Sequence, residues 1–220
     1  MSLSLRRICG AAMVGLLGLV LAAPVHADPL SASGLLLPVP QELNPSDGNT
    51  VNSIVAGFGA NNAFSGELTT LVIENDSRNP YGGLTFIYQI LNDGQEGSNS
   101  IGRLAIDSFI GIEQTDVSYL VDDDAVAPVY ADRGVNGAIV GFSFFTFQGD
   151  PHTGFLNPGD MSSELIVHTN ARGYQQVVAS IIDGSVAQAA SFGPVVPEPS
   201  SIALLGLGIA AAGLVARRRK

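Results

Sequence analysis

The sequence predicts an all-β protein, a β-sandwich of immunoglobulin-like architecture followed by a single C-terminal transmembrane helix. Three observations carry this. Short runs rich in Val, Ile, Phe, Tyr and Thr recur from Val51 to Phe192, a composition that suits pleated, half-buried strands. Turn signals separate them: Gly82-Gly83, Asn92-Asp93-Gly94, Asn157-Pro158-Gly159-Asp160 and Asp183-Gly184. No long apolar stripe of helical period interrupts the rhythm.

The elements follow in chain order. Residues 1–27 have the form of a secretory signal: Arg6 and Arg7, an apolar run from Ile8 to Ala23, then Pro24-Val25-His26-Ala27. Cleavage is expected between Ala27 and Asp28, after passage through the Sec machinery. The pair Arg6-Arg7 fits a twin-arginine signal poorly in its surroundings. Cys9, the sole cysteine, falls in the apolar run and leaves with the signal, so the mature chain has neither disulfide nor reactive thiol. Residues 28–50 are Pro, Ser, Asn and Leu without a period and read as an irregular leader, with Leu35-Leu36-Leu37 as an edge strand.

The sandwich domain is placed at 51–193. Expected strands are Val51–Gly57, Glu67–Glu74, Leu84–Leu91, Arg103–Gly111, Val117–Val121, Ala138–Phe147, Glu164–Thr169, Tyr174–Ile182 and Val186–Phe192. Phe86, Tyr88 and Ile90 alternate with Thr85, Ile87 and Gln89, which places one face in a core. Tyr174–Ile182 also has Val177, Val178, Ile181 and Ile182 at helical spacing and reads equally as a helix. A body of this size can bury a core without disulfides.

Residues 194–199 form a linker containing Pro197-Glu198-Pro199. The two prolines cannot continue a helix and hold Glu198 extended. Ser200–Ala216 is an uncharged run of 17 residues. As a helix it spans roughly 25 Å against a hydrocarbon core of ~30 Å. Arg217, Arg218, Arg219 and Lys220 can snorkel to cover the difference, and they hold residues 217–220 in the cytoplasm. Pro-Glu-Pro, a short span and a terminal arginine cluster, in that order, resemble the PEP-CTERM sorting domain of exported bacterial proteins. The resemblance covers about the last 25 residues. It implies that exosortase, an integral-membrane enzyme, recognises Pro197, Glu198 and Pro199 and cuts near them. It also implies a Gram-negative host that makes exopolysaccharide. Two stretches of the body, YGGLTFIYQILN (81–92) and PGDMSSELIVHTNARGYQQVVASIIDG (158–184), are similar to the bodies of many proteins with this tail, a likeness that bears on fold and surface location.

Charge narrows the partners. Between Asp28 and Pro199 lie all 20 acids, four arginines and no lysine, a balance of −16. Such a body repels nucleic acid and anionic surfaces over about a Debye length, ~8 Å at physiological salt, so no nucleic acid is expected as a partner. Familiar catalytic patterns are missing. Gly141-Phe142-Ser143-Phe144-Phe145 lacks the second Gly of a nucleophile elbow. His152 and His168 have no metal-ligand spacing, and His168 reads as an ordinary sheet-face residue in an alternating strand. Asp122-Asp123-Asp124 reads as a solvated acidic turn or a Ca²⁺ site; successive residues of an extended chain point to opposite faces, which limits the second reading. A carboxylate pair for glycoside hydrolysis stays open, since its separation is spatial. The expectation is an exported protein without enzymatic activity, cofactor or bound metal. It would be tethered briefly in the inner membrane, then delivered to the surface or matrix in a structural or adhesive role. The alternative is a carbohydrate-binding module for exopolysaccharide, weakened by the absence of Trp.

Overall fold

A computed structural model describes residues 27–61, 63–145 and 154–195. Among these residues every regular element is a strand, and the strands form two sheets. In chain order they are β1 (Asp28–Pro29), β2 (Leu35–Leu36), β3 (Gln41–Glu42), β4 (Asn49–Ala60), β5 (Phe64–Glu74), β6 (Thr85–Asn92) and β7 (Arg103–Ile106). Then come β8 (Thr115–Leu120), β9 (Tyr130–Arg133), β10 (Val140–Ser143), β11 (Leu165–Thr169), β12 (Tyr174–Asp183) and β13 (Ser185–Pro194). The first sheet runs β1-β8-β11-β6-β5-β4, with β3 also on β8; the second runs β13-β12-β7-β10-β9-β2. All pairings are antiparallel except β3 with β8.

The alternation read in the sequence sets the core. Phe86, Tyr88 and Ile90 of β6 point inward with Leu165 and Val167 of β11 and meet Leu104, Ile106, Phe142 and Ile181 of the opposite sheet. Burying each such side chain contributes about 1.5–3 kcal/mol. Two polar ties cross this core: Tyr88 donates to the Phe192 carbonyl at 2.9 Å, and Thr70 and Ser191 share a hydrogen bond of 2.8 Å.

Tyr174–Asp183 is a strand, not a helix. Its register with β13 holds for ten pairs, and Gly184, at φ 63°, makes the turn between them. The ladder satisfies the backbone on both sides and overrides the helical spacing of the valines and isoleucines. β9 lies outside the expected strands; it is a short partner of β10 and β2.

The stretch 28–50 is more structured than an irregular leader. β1 pairs with Asp116 and Val117 of β8, β2 crosses to pair with Ala131 and Asp132 of β9, and β3 returns to Tyr119 and Leu120. The segment therefore laces the two sheets along one open side. Leu30 and Val39 anchor it in the core.

Candidate functional site

The site begins with the outward face of the first sheet. On β11, Leu165 and Val167 enter the main core, so Ile166 and His168 face the other way. His168 pairs in register with Asp116 of β8 and Thr85 of β6. This face would meet water, but the chain from β3 to Asp47 and the loop after β5 cover it. His168 is only 1% exposed. It is therefore not an ordinary sheet-face residue.

Three carboxylates surround the ring. His168 Nδ1 lies 3.0 Å from Asp116 Oδ1, a hydrogen bond along the outward row of the sheet. Nε2 lies 3.5 Å from Asp76 Oδ2 and 4.0 Å from Glu42 Oε1, ion-pair distances too long for a direct hydrogen bond. Glu42 accepts a hydrogen bond from Ser118. Asp76 Oδ1 accepts from the Arg78 amide at 3.1 Å, which shapes the loop that brings this carboxylate over the sheet. Burial by itself would push the imidazole down. The Asp116 hydrogen bond, the facing Asp76 carboxylate and the fields of Asp116 and Glu42 outweigh it and raise the ring to about 9. Asp76 shows the same contest: burial raises it, while His168 and neighbouring donors hold it well below the usual carboxylate range. The charged imidazolium thus clamps β3 and the Asp76 loop onto the sheet.

A second polar array lies on the outer face of the other sheet. Arg103 of β7 reaches across β10 to Asp132 of β9 in a two-pronged ion pair, 2.5 Å and 3.0 Å, and donates to Ser143 Oγ at 2.8 Å. The guanidinium passes directly over Gly141, where a Cβ would obstruct it. The glycine and serine of the nucleophile-elbow-like stretch are thus a bed for an arginine. Ser143 is buried in a strand with its oxygen already engaged. Arg133 is also buried, and burial pushes its pKa down. It donates to four carbonyls, those of Gly137 at 3.0 Å, Leu30 at 3.1 Å, Phe109 at 2.9 Å and Ile112 at 2.6 Å.

Asp122, Asp123 and Asp124 form an exposed turn, in which the Asp124 amide donates to Asp122 Oδ1 at 3.0 Å. Among the described residues no group of three or more His, Cys, Asp or Glu is arranged to hold a metal. Ala27 is half-buried and Asp28 is exposed, paired with Val117, so the expected cleavage point sits at the entry to β1. His152 lies outside the described residues, as do Pro197, Glu198, Pro199, Arg217, Arg218 and Arg219. So does the 200–216 run; among the described residues no helix is long and apolar enough to cross a membrane.

The body ends at β13, where the Val195 amide donates to the Gly173 carbonyl at 2.9 Å and the tail departs. Residues 195–220 match the family model described as the PEP-CTERM protein-sorting motif. The chain carries a PEP-CTERM sorting domain. That motif marks an exported protein addressed to exosortase, a membrane processing enzyme, and its transit toward the cell surface is membrane-anchored. The match begins at the last described residue of the body, so the sorting domain and the folded domain abut. No curated protein and no solved structure matches the chain.

The sequence carried no signal for the His168 cluster as a unit, because its members come from four separated segments. The one available hint was a pair of isolated polar residues, Asp116 and His168, on the same alternating phase as Ser118 and Ile166.

Proposed function

We infer that the body is a structural or adhesive component of the cell surface or extracellular matrix, without catalysis of its own, delivered there after exosortase processes the tail. The observation that supports this most is the burial of His168. Its proton is held among Asp116, Asp76 and Glu42 beneath the lacing segment, where a solute reaches it only if that segment lifts. The other polar arrays point the same way, since Ser143, Arg103, Asp132 and Arg133 are engaged with one another or with backbone. An immunoglobulin-like architecture belongs to the same reading: two sheets packed on one apolar core is the plan of many surface domains. Exopolysaccharide is a matrix neighbour in this picture rather than a substrate.

The test is deletion and complementation in a host that carries exosortase. Loss of cell-to-cell cohesion or surface adhesion on deletion, restored by the wild-type chain, supports the reading. Unchanged cohesion together with hydrolysis of host exopolysaccharide by the purified protein would overturn it. Retention on immobilised exopolysaccharide without hydrolysis would move the body to the carbohydrate-binding class.

A further inference from the structure

The strands define two ends of the sandwich, and the tail leaves from one of them. At this exit end Pro194 pairs with Tyr174, and Ser108 donates to the Pro194 carbonyl at 2.9 Å while accepting from Gln175 at 2.7 Å. The loop after β7 therefore lies beside the departing chain. The β9–β10 loop lies against it: the Phe109 amide donates to Ala138 at 2.8 Å, and Arg133 ties both loops through their carbonyls. These two braced loops raise Ile110, Val135 and Ile139 to the surface, 55%, 86% and 41% exposed. Asp107 and Glu113 flank the first loop and are exposed too, so its tip can touch an apolar layer but the loop cannot sink into one.

Charge is distributed unevenly between the ends. The loops at the far end hold Asp93, Glu96, Asp122, Asp123, Asp124 and Asp160. The exit end holds the exposed Asp47, Glu74, Asp107 and Glu113 together with Arg172, which donates to the Gly82 carbonyl at 2.5 Å, and Arg78, which donates to Asn44 and Pro45. The arginines offset part of the exit end's acidity, whereas the acids in the far-end loops stand uncompensated, so an anionic bilayer repels the exit end less. Tail length adds a third constraint. From Val195 to Ser200, where the apolar run begins, the chain reaches at most about 17 Å fully extended.

We propose that the Ile110, Val135 and Ile139 loop tips form a membrane-contacting face that seats the tethered domain, exit end down, on the outer surface of the inner membrane. The inference rests on the reading of 200–216 as the membrane tether. Seating restricts the domain's tumbling and holds the 195–199 segment close to the lipid headgroups, where a membrane enzyme can reach it. Once the tail is cut, the weak apolar contact alone does not retain the domain, and it departs.

The mature chain lacks cysteine, so single labels are clean. The full mature chain carrying Asn136→Cys, between the apolar tips, or Asp123→Cys, at the far end, is labelled with a polarity-sensitive fluorophore. It is then reconstituted in phosphatidylethanolamine–phosphatidylglycerol vesicles bearing a lipid quencher. The expected result is a blue shift and roughly twofold quenching at 136, as for groups at interfacial depth, with neither at 123. Adding Ile110→Asp, Val135→Asp and Ile139→Asp should abolish the effect at 136 while unfolding stays cooperative. Co-flotation with a label at 136 as wet as that at 123 overturns the face and leaves the tether standing. Failure to co-float overturns both. A blue shift at 136 that grows with protein concentration in detergent overturns the bilayer as occupant and assigns the face to a second copy.

Discussion

The His168 clamp makes alkaline pH a direct probe of the lacing segment. The imidazole rises from 6.5 to about 9 on folding, so the folded state binds the proton more tightly than the unfolded chain. Its contribution is complete below pH 6.5 and is lost as pH climbs through 9. A shift of this size corresponds to about 3 kcal/mol, with a slope approaching 1.4 kcal/mol per pH unit between the two values. The groups facing the ring do not blur this window. Asp76 is held below the usual carboxylate range, and burial with Asp116 pushes the Tyr81 phenol above 10. Urea unfolding of the mature chain at pH 6 and pH 9.5 is the assay. With a denaturant slope of about 2 kcal/mol per molar, the midpoint should fall by roughly 1.5 M. His168→Gln keeps a donor toward Asp116 but cannot titrate; its midpoint should be lower at pH 6 and nearly flat across the window. Equal slopes for wild type and His168→Gln would refute the clamp.

Other predictions follow from packing and charge. Gly66→Ala places a methyl against the Leu91 carbonyl and 2.6 Å from Phe58 Cζ, so it should cost about 1–3 kcal/mol in urea unfolding. Gly141→Ala meets only the movable end of Arg103 and should cost about 1 kcal/mol or less. Arg133→Met strips donors from four buried carbonyls and should cost about 3–5 kcal/mol, with hydrogen exchange accelerated first in 107–112 and 134–139. Millimolar Ca²⁺ should leave the melting temperature unchanged whether Asp122, Asp123 and Asp124 are present or replaced by Asn; a rise seen only with the aspartates would establish a site there. Pro197, Glu198 and Pro199 replaced together by Ala should trap an uncut form at the inner membrane, read as retained mass on fractionation.

The long strands were legible because their pattern is local. Phe86, Tyr88 and Ile90 advertise a buried face within six residues, and the turn at Asp183-Gly184 names its own hairpin. The sorting tail was legible for the same reason: its proline pair, apolar run and arginines are contiguous. What could not be read depends on distant pairing. Tyr130–Arg133 has too few residues to show alternation and is a strand only because β10 and β2 flank it. The run 28–50 lacks a period because β1, β2 and β3 are two residues long each and the chain changes sheet between them before a pattern develops. His168 reads as solvent-facing until Glu42 and Asp76, far away in the chain, are placed over it.

The lacing segment has a consequence for the timing of export. A chain crossing a membrane from its N-terminus presents residues 28–42 first. Their partners, at 116–120 and 131–133, arrive only after much of the body has emerged. Until then β1 has nothing to pair with, and the Ala27–Asp28 bond, where the sequence leads one to expect a signal cut, stays in unpaired chain. Once β8 and β9 are across, β1 is drawn into the sheet edge. Delayed pairing thus works as a clock: the seam closes only after the entry to β1 has stood open to the compartment outside.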